Sequence, residues 1–394
     1  MKKIISILGS TGSIGQNSLK ILSKKKKLFK INILAANKNY RLICKQIDTF
    51  KPKIFIINDL KVLEKVKKKY IRNKVKIIND IDINKNKIKK SDITIAAIPG
   101  IAGLKPTIEM VKKSKKILIA NKESIICGWN LIKKTAFKYS AKIVPVDSEH
   151  FSIMKLLENQ NIKNIKKIYL TASGGPFLKY NLSKLKIAKP NEAIKHPRWK
   201  MGKKISVDSA TLMNKMLELV EAEKLFSVSS KKIEIIIHPE SLIHAIIEFK
   251  SGLYKFIYHE TTMLIPLANA IFDDSIDIKS ILKSKKNHKK SIFFKNLNFQ
   301  DVDKKRFPII NLKPIINKHP SSSIIVNAVN EILVDQYLKK RIPFNSFYNY
   351  ILRVLNNRNF RKYAIRIPKN IDQIFKIDKW ARDTIIEIIR YENA

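Results

Sequence analysis

Ile4-Ile5-Ser6-Ile7-Leu8, followed directly by Gly9-Ser10-Thr11-Gly12-Ser13-Ile14-Gly15, is the stretch that decides the fold. The first five residues are short, rich in β-branched side chains and end at a glycine, which predicts a buried strand. The next seven read G-x-x-G-x-x-G, and a helical pattern then continues to about Ser23. A strand, a glycine-rich turn and a helix in this order are typical of a Rossmann-type dinucleotide site. There the glycines let the backbone approach a pyrophosphate, so we favour nucleotide binding over a simple tight turn.

The second predicted strand, Ile31–Ala36, ends where the ribose of a bound dinucleotide would lie. A site selective for NAD generally has an acidic residue there, which accepts the ribose 2′-hydroxyl. Here Asn37, Lys38 and Asn39 follow the strand. A cation between two amides suits a 2′-phosphate, so the sequence favours NADP, although Lys38 is also one of many surface lysines.

Alternating strands and helices continue this pattern. Their predicted ranges are Lys53–Ile57, Leu60–Lys69, Ile93–Ile98, Pro106–Lys113 and Ile117–Ala120. The last of these strands leads into Asn121-Lys122-Glu123, at the edge where open α/β sheets bind ligands. Lys122 is therefore a candidate contact to a substrate or a nicotinamide, although the tripeptide alone would also suit a turn.

The stretch Val144-Pro145-Val146-Asp147-Ser148-Glu149-His150 ends an apolar run with two carboxylates. If the strand continues through them, Asp147 and Glu149 point to the same face, because side chains alternate with period two. Two convergent carboxylates suit a hard divalent cation such as Mg²⁺ or Mn²⁺. A polar loop is the simpler interpretation of this motif taken alone.

A second polar cluster occurs in the stretch 206–221, which begins with capping residues and then becomes helical. Asn214 and Lys215 stand four and three residues before Glu218, so all three can share one helix face. Such a face could hold a phosphate and a metal together, whereas the alternative is an ordinary salt bridge on a solvated helix. Without the other motifs the two interpretations are about evenly matched.

Between these clusters, Ala172-Ser173-Gly174-Gly175-Pro176 follows a predicted strand, Ile168–Thr171. The residues from Phe177 to Lys204 lack periodicity, and a long irregular segment in a compact domain is more often functional than not. With a Gly-Gly hinge and the apolar Trp199, the segment is typical of an active-site lid, although Trp199 could simply pack in a core.

Composition restricts the remaining possibilities. The 394 residues are enough for two or three domains, and the hydrophobic fraction of 45% is ordinary for a globular protein. The net charge of +47 is spread along the chain with heavy use of Lys, Ile and Asn, which indicates compositional drift rather than a nucleic-acid partner. Cys44 and Cys127 have no metal-type spacing, and no apolar run reaches membrane-spanning length. We therefore expect a soluble cytoplasmic protein with no membrane partner.

The rest of the chain carries fewer chemical signals. Predicted strands are Ile233–Ile237 and Ala245–Phe249, and the predicted C-terminal helices include Ile324–Leu338 and Lys379–Tyr391. We expect His238 and His244 to be structural. A lysine-rich stretch without periodicity, from about Phe272 to Lys290, is typical of an interdomain linker.

Taken in order, these motifs resemble one family, the 1-deoxy-D-xylulose 5-phosphate reductoisomerases of the non-mevalonate isoprenoid pathway. The matching segments are residues 7–15, 120–124, 145–150, 172–177, 196–202, 204–211, 213–218, 238–244 and 327–331. Their number and order are far more specific than the glycine loop alone, and they extend across nearly the whole chain.

The resemblance implies an α/β homodimer that acts on a small phosphorylated sugar. Each subunit would have an N-terminal Rossmann-like NADPH-binding domain (1–146), an α/β connective catalytic domain (147–272) with a lid at about 173–203, a linker (273–300) and a C-terminal α-helical domain (301–394). The implied reaction is the rearrangement and reduction of 1-deoxy-D-xylulose 5-phosphate to 2-C-methyl-D-erythritol 4-phosphate. It would use NADPH and Mg²⁺ or Mn²⁺, with Co²⁺ as a further option.

The resemblance also assigns roles to individual residues. The implied NADPH contacts are Thr11, Gly12, Ser13, Ile14, Asn37, Lys38, Asn39, Asn121, Glu123 and Gly202. The implied metal ligands are Asp147, Glu149 and Glu218, which with Lys122 are also the implied catalytic residues. The implied substrate contacts are Lys122, Ser148, Glu149, Ser173, His196, Trp199, Ser209, Asn214, Lys215 and Glu218.

Some positions depart from the family pattern. His259, Thr262 and Leu264 stand where the family usually has Gly, Asp and Arg, which puts local packing or dimer contacts in doubt rather than the chemistry. Asn37 and Met216 replace glycines that are usual in the family, and we expect Met216 to crowd the site helix slightly.

Two other functions are compatible with parts of the sequence. Another NADP-dependent dehydrogenase, acting on an acyl phosphate or a semialdehyde, would need a catalytic cysteine, and Cys127 has no obvious base beside it. A basic nucleic-acid-binding protein would need a binding module, and the diffuse charge supplies none. Both are less favoured than the reductoisomerase.

Overall fold

The computed structural model describes residues 2–81, 88–199, 201–282 and 296–393. The strands are β1 (Lys3–Leu8), β2 (Phe29–Ala36), β3 (Ile54–Ile57), β4 (Lys76–Ile78), β5 (Ser91–Ala96), β6 (Ser114–Ile119), β7 (Lys142–Pro145), β8 (Ile165–Ala172), β9 (Ile233–Ile237), β10 (Ile243–Phe249), β11 (Tyr254–Tyr258) and β12 (Gln300–Asp301).

The α-helices follow in the same order. They are α1 (Ser13–Lys24), α2 (Tyr40–Phe50), α3 (Leu60–Lys69), α4 (Leu104–Val111), α5 (Lys122–Tyr139), α6 (Ser148–Leu156), α7 (Leu182–Lys186), α8 (Pro190–Ala193), α9 (Lys203–Thr211), α10 (Met213–Phe226), α11 (Leu264–Phe272), α12 (Ser322–Leu338), α13 (Phe347–Leu355), α14 (Phe360–Ala364) and α15 (Ile371–Asn393). In the part of the chain that the structure describes, no helix combines the length and the apolar character needed to cross a membrane.

The chain divides into two compact units. The first consists of Met1–Ser124, Gly128–Phe151 and Thr262–Phe293, and the second of Ile125–Cys127, Ser152–Thr261 and Phe294–Ala394. The first unit contains a parallel sheet in the order β4-β3-β2-β1-β5-β6-β7. Its strand order reverses beside β1, which places the glycine turn at the switch point where open sheets bind ligands.

The central strands of this sheet are buried mainly through apolar side chains. Ile5, Ile7, Ile33 and Ile95 are fully buried. A parallel sheet covered on both faces requires such continuous apolar runs. The predicted βα repeat is therefore confirmed for the first unit.

The second unit contains a mixed sheet in the order β11-β10-β8-β9-β12. β8 and β9 are parallel, whereas β10 runs antiparallel to β8 and to β11. In the same unit α12 packs against α15 and α13. The predicted C-terminal helices are present, and α15 begins eight residues earlier than the predicted Lys379, after an Asn370 side chain that accepts a hydrogen bond from the Gln373 amide at 2.9 Å.

The predicted domain boundaries stay a prediction, and the two compact units divide the chain differently at several places. Thr262–Phe272 was assigned to the connective domain but belongs to the first compact unit. The physical reason is apolar packing. α11 packs against α1, and the ring centroids of Phe272 and Phe29 lie 5.4 Å apart in an edge-on contact. Residues 283–295 of the predicted linker lie outside the described residues.

Candidate active site

The glycine turn after β1 is shaped by close backbone contacts. Gly9 has a φ of +81°, and a Cβ on it would lie 2.5 Å from the Ala97 carbonyl oxygen. A Cβ on Gly15 would lie 2.3 Å from the Gly9 carbonyl oxygen. At Gly12 the same oxygen would be 3.3 Å away, so this position is less constrained. The turn therefore requires glycine at two of its three positions.

A residue that the sequence did not indicate fixes this turn from outside. Ser10 Oγ donates to Gln46 Oε1 at 2.7 Å, and Gln46 Nε2 donates to the Ser10 carbonyl at 2.9 Å. Both side chains are buried, whereas Gly12 and Ser13 at the start of α1 are exposed. The turn thus presents its amides outward on a fixed frame.

The end of β2 is exposed. Asn37, Lys38 and Asn39 all face solvent. Asn39 caps α2, because its side chain accepts a hydrogen bond from the Leu42 amide at 3.1 Å. Lys38 therefore extends from a stretch of backbone that is fixed on both sides.

Asn121 is buried and caps α5. Its Oδ1 accepts from the Ser124 amide at 2.5 Å, and its Nδ2 donates to the carbonyls of Gly100, at 2.9 Å, and of Ile98. These bonds tie the loop after β5 to the start of α5. They place Lys122 and Glu123 in the first turn of that helix.

The apolar run at Val144–Val146 leads into a helix instead of a longer strand. β7 ends at Pro145 and α6 begins at Ser148. The Asp147 carboxylate accepts a hydrogen bond from the Glu149 amide at 3.1 Å, as a helix-capping side chain does. Alternation along a strand therefore does not place Asp147 and Glu149 on one face, contrary to the prediction. A carboxylate oxygen of Asp147 and one of Glu149 nevertheless lie within 4.8 Å of each other.

Neighbouring charges determine the protonation state of Asp147. Burial and the charge of Glu149 raise the pKa of this carboxyl, but Lys122 and His150 outweigh them, and the pKa lies below its ordinary value. Lys122 Nζ lies 3.7 Å from one carboxylate oxygen and His150 Nδ1 lies 3.0 Å from the other. Beside them, Ser148 Oγ donates to Glu149 at 2.6 Å. Asp147 is therefore an oriented anion at neutral pH.

In the second unit, His196 is held in one tautomer. Its Nδ1 accepts hydrogen bonds from the amides of Arg198 and Trp199 at 3.2 and 2.9 Å. The ring proton is therefore on Nε2, which donates to Ser173 Oγ at 2.9 Å. Ser173 Oγ also accepts a hydrogen bond from the Gly175 amide at 3.1 Å.

Gly175 brings this turn against α9. Its φ is +64°, and a Cβ there would lie 2.8 Å from the Ser209 carbonyl oxygen. The predicted hinge is thus a tight backbone contact that places Ser173 near Ser209. The irregular segment that follows contains two short helices, α7 and α8, which its lack of periodicity had hidden.

The pKa of His196 gives a testable pH dependence. Burial first, and then the charge of Lys215, lower this pKa from 6.5 to about 4. Between these values the unfolded chain binds a proton that the folded chain does not, so stability falls as the pH is lowered through this window. We expect His196→Gln to lose less of its stability between about pH 7 and pH 5 than the wild type does, as measured by urea unfolding.

His319→Gln, in the same unit, is the control for the loss of a histidine. It should retain the wild-type difference between the two pH values. An identical difference in wild type and His196→Gln would contradict the assignment.

The predicted helix at 206–221 is two helices. α9 ends at Thr211, Leu212 has a φ of +68°, and α10 begins at Met213. On α10, Asn214 Nδ2 and Lys215 Nζ donate to the two oxygens of Glu218, at 2.5 and 2.6 Å. Glu218 is only 1% exposed, which excludes the alternative of a solvated salt bridge.

Among the departures from the family pattern, His259, Leu264 and Met216 are buried, whereas Asn37 is exposed. His259 stacks on His244 at 4.1 Å, and His244 meets the Trp199 ring at 5.9 Å. Met216 is fully buried on α10. His238 is also structural in its contacts, since its ring bonds to the Asn298 carbonyl at 2.9 Å and accepts from the Leu242 amide at 3.2 Å.

Within each unit the structure brings several predicted site residues together. Lys122, Asp147, Ser148 and Glu149 meet in the first, and Ser173, His196, Asn214, Lys215 and Glu218 form two bonded groups in the second. Gly202 caps α9 in an open position. Sequence reasoning missed the bonding roles of Gln46 and His150. His150 stands in the quoted motif, but Gln46 gives no local signal.

Known proteins match the chain over nearly its whole length. Three family models match successive parts of the chain: 1-deoxy-D-xylulose 5-phosphate reductoisomerase at residues 5–128, its C-terminal domain at 143–226, and the DXP reductoisomerase C-terminal domain at 260–384. The 1-deoxy-D-xylulose 5-phosphate reductoisomerase of Pelagibacter ubique is 45% identical over 96% of this chain and 97% of its own. The chain belongs to the 1-deoxy-D-xylulose 5-phosphate reductoisomerase family.

Further reductoisomerases support the family and the fold. The enzyme of Wolbachia pipientis from Culex pipiens is 39% identical, over 99% of this chain and 98% of its own. A reductoisomerase structure from Zymomonas mobilis in complex with NADPH is 28% identical and covers 99% of both chains, with a TM-score of 0.85. Another, in complex with NADPH, fosmidomycin and magnesium, is 28% identical with the same coverage and a TM-score of 0.88. The predicted family, fold class and enzyme class are confirmed.

Proposed function

We propose that the chain converts 1-deoxy-D-xylulose 5-phosphate to 2-C-methyl-D-erythritol 4-phosphate with NADPH and a divalent metal. The observation that carries this proposal is the family match over nearly the whole chain, in which every predicted site residue is present. The contacts within each unit support the individual roles. An alternative NADP-dependent dehydrogenase lacks comparable support, because Cys127 is buried on α5.

The first unit suits the dinucleotide. The close contacts at Gly9 and Gly15 leave a shallow cradle that side chains would fill, and the amides of the first turn of α1 face outward. We propose that Thr11, Gly12, Ser13 and Ile14 bind the pyrophosphate. Lys38 and its neighbours Asn37 and Asn39 would bind the 2′-phosphate. Asn121 would position the site through the loop it ties, with Glu123 and Gly202 as further contacts.

The donor set suits a hard divalent cation. Asp147, Glu149 and Glu218 each offer a carboxylate oxygen as a ligand atom, and oxygen ligands are those that Mg²⁺ and Mn²⁺ prefer. We propose these three as the metal ligands. A bound cation would polarise the substrate carbonyl and fix the orientation of its oxygens. His150 would orient Asp147 through its 3.0 Å bond, as hydrogen-bonded partners of metal ligands generally do.

The remaining residues would bind and orient the substrate. The second unit offers a set of hydrogen-bond donors suited to a phosphate, namely Lys215, Asn214, Ser173, Ser209 and the Nε2–H of His196. Lys122 Nζ would lie beside the reacting oxygens and stabilise negative charge that develops on them, and Ser148 would hold Glu149 in place. Trp199 would cover the substrate when the segment 173–203 closes and excludes water.

We further propose that the chain works as a homodimer in the cytoplasm. Both cysteines are buried and neither forms a disulfide, which suits a reducing compartment. The dimer is proposed from the family resemblance. Sedimentation velocity on the purified protein would test the oligomeric state.

The direct test of function is NADPH oxidation by the purified protein with 1-deoxy-D-xylulose 5-phosphate. We expect loss of NADPH absorbance that requires Mg²⁺ or Mn²⁺ and stops when the metal is chelated. Binding of NADPH without turnover would retain the dinucleotide site and contradict the substrate. Failure to bind NADPH would contradict the proposed function as a whole.

A further inference from the structure

The second unit contains a cavity lined by α7, by the start of α13 and by residues around Arg306. Its volume is about 220 Å³, and none of the predicted site residues is among its described lining residues. One side is apolar and aromatic, and the rim is cationic. The apolar side includes Leu182, Leu185, Phe344 and Phe347, and the cationic rim includes Lys186 and Lys305.

The cavity has a firm apolar wall. Leu185, Phe344 and Phe347 are nearly fully buried. The Phe344 ring meets Phe177 edge-on at 4.8 Å, which joins this wall to a larger aromatic cluster. A side chain so enclosed cannot move aside to fill the space, so the cavity is a feature of the packed unit.

The charge at the rim is of one sign. Lys186, Lys305 and Arg306 line the cavity, and no acidic residue is among its described lining residues. Arg306 is already engaged, because its guanidinium donates to the Phe177 carbonyl at 3.1 Å and to the Tyr180 carbonyl, and Asp303 lies 3.9 Å from its Nε. The two lysine ammonium groups form no ion pair with any described residue. The rim therefore attracts an anion.

The size of the cavity limits the apolar part of such a ligand. A 150 Å³ apolar cavity is known to hold benzene, so one of this volume would take roughly nine non-hydrogen atoms. We propose that this cavity binds a small organic anion with an apolar tail, of the alkyl phosphate class. The tail would lie between α7 and the aromatic wall, and the phosphate would bind Lys186 and Lys305.

A ligand bound in the cavity would also affect the neighbouring segment, residues 177–187. Leu182 and Lys186 belong to α7, and Arg306 holds two carbonyls that precede this helix. α7 and these two carbonyls lie within the proposed lid, so this second step rests on the proposed function, whereas binding itself does not. A ligand that packs against α7 should slow hydrogen exchange of the amides in 177–187.

Calorimetric titration of the full-length protein with octyl phosphate tests the binding. Inorganic phosphate and octanol serve as separate head and tail probes at about physiological salt. We expect saturable binding of one octyl phosphate, at least about tenfold tighter than either probe. Equal affinity for inorganic phosphate, or binding that does not saturate, would show adsorption to the basic surface and overturn the proposal.

Matched variants test whether octyl phosphate binds in this cavity. Leu182→Asp should weaken octyl phosphate binding at least about tenfold, because it puts a carboxylate in the apolar wall. Ile187→Asp changes a more exposed apolar residue directly after α7 that does not line the cavity, and should bind as the wild type does. Lys305→Gln should weaken binding about fivefold, and its neighbour Lys304→Gln should not.

Equal effects of Leu182→Asp and Ile187→Asp would overturn the assignment of the site. Unchanged hydrogen exchange in 177–187 upon saturable binding would overturn the coupling to the lid. NADPH oxidation is not needed for any of these measurements, so they fail or succeed independently of the proposed reaction.

Discussion

Glu218→Gln is expected to lower turnover by about a thousandfold or more while leaving NADPH binding nearly unchanged. The substitution removes the negative charge that we propose as a metal ligand, and it leaves the Lys215 ammonium without its carboxylate partner. None of the proposed dinucleotide contacts lies on α10, and all of them except Gly202 belong to the first unit. Steady-state NADPH oxidation would give the turnover, and fluorescence titration would give the affinity for NADPH.

Glu223→Gln is the matched control, because it removes one carboxylate charge from α10 at a position that bonds to Asn317 and the Ser230 amide instead. It should retain turnover. Thermal unfolding of both variants would show whether the fold is kept. Parallel loss of NADPH binding and turnover in Glu218→Gln would assign this residue a structural role instead.

Gly15→Ala is expected to raise the KM for NADPH about a hundredfold. Its Cβ would lie 2.3 Å from the Gly9 carbonyl oxygen and 2.6 Å from the Ser10 Cα, and both neighbours are backbone that cannot rotate away. The turn must therefore shift, and the amides at the start of α1 shift with it. The Ser10–Gln46 bonds, which fix the same turn, would be strained by this movement.

Gly12→Ala is a sterically milder substitution in the same turn and serves as the comparison. Its Cβ would meet only the Gly9 carbonyl oxygen, at 3.3 Å, so the change in KM should stay below about tenfold. Circular dichroism would establish that both variants are folded. A larger effect at Gly12 than at Gly15 would contradict the geometry of the cradle.

The parallel sheet could be predicted from the sequence because its signals are local. Apolar β-branched runs such as Ile54–Ile57 form strands wherever both faces are covered, and glycines mark the turn after β1. Leu60–Lys69 was predicted with its observed bounds, since Asp59 caps it with a hydrogen bond to the Val62 amide at 3.0 Å. Weakly periodic elements such as β11 and α7 gave no comparable signal.

The site residues were predicted by type and spacing, but their arrangement was not. Asn214 and Lys215, four and three residues before Glu218, contact its carboxylate because residues at these spacings share one face of any helix. For Asp147 and Glu149 the strand argument failed, because the capping bond of Asp147 turns the chain into α6 at that point.

By itself, the sequence determined the class of fold and the family, and it predicted the chemical types of the site residues. These depend on local periodicity and on motifs that are continuous in the chain. Only the tertiary structure decided that Gln46 fixes the glycine turn, that Ser173 meets the Nε2–H of His196, and that α11 packs with the first unit. Each of these contacts joins residues that are distant in the chain, and such contacts depend on how packed elements exclude water and satisfy buried polar groups.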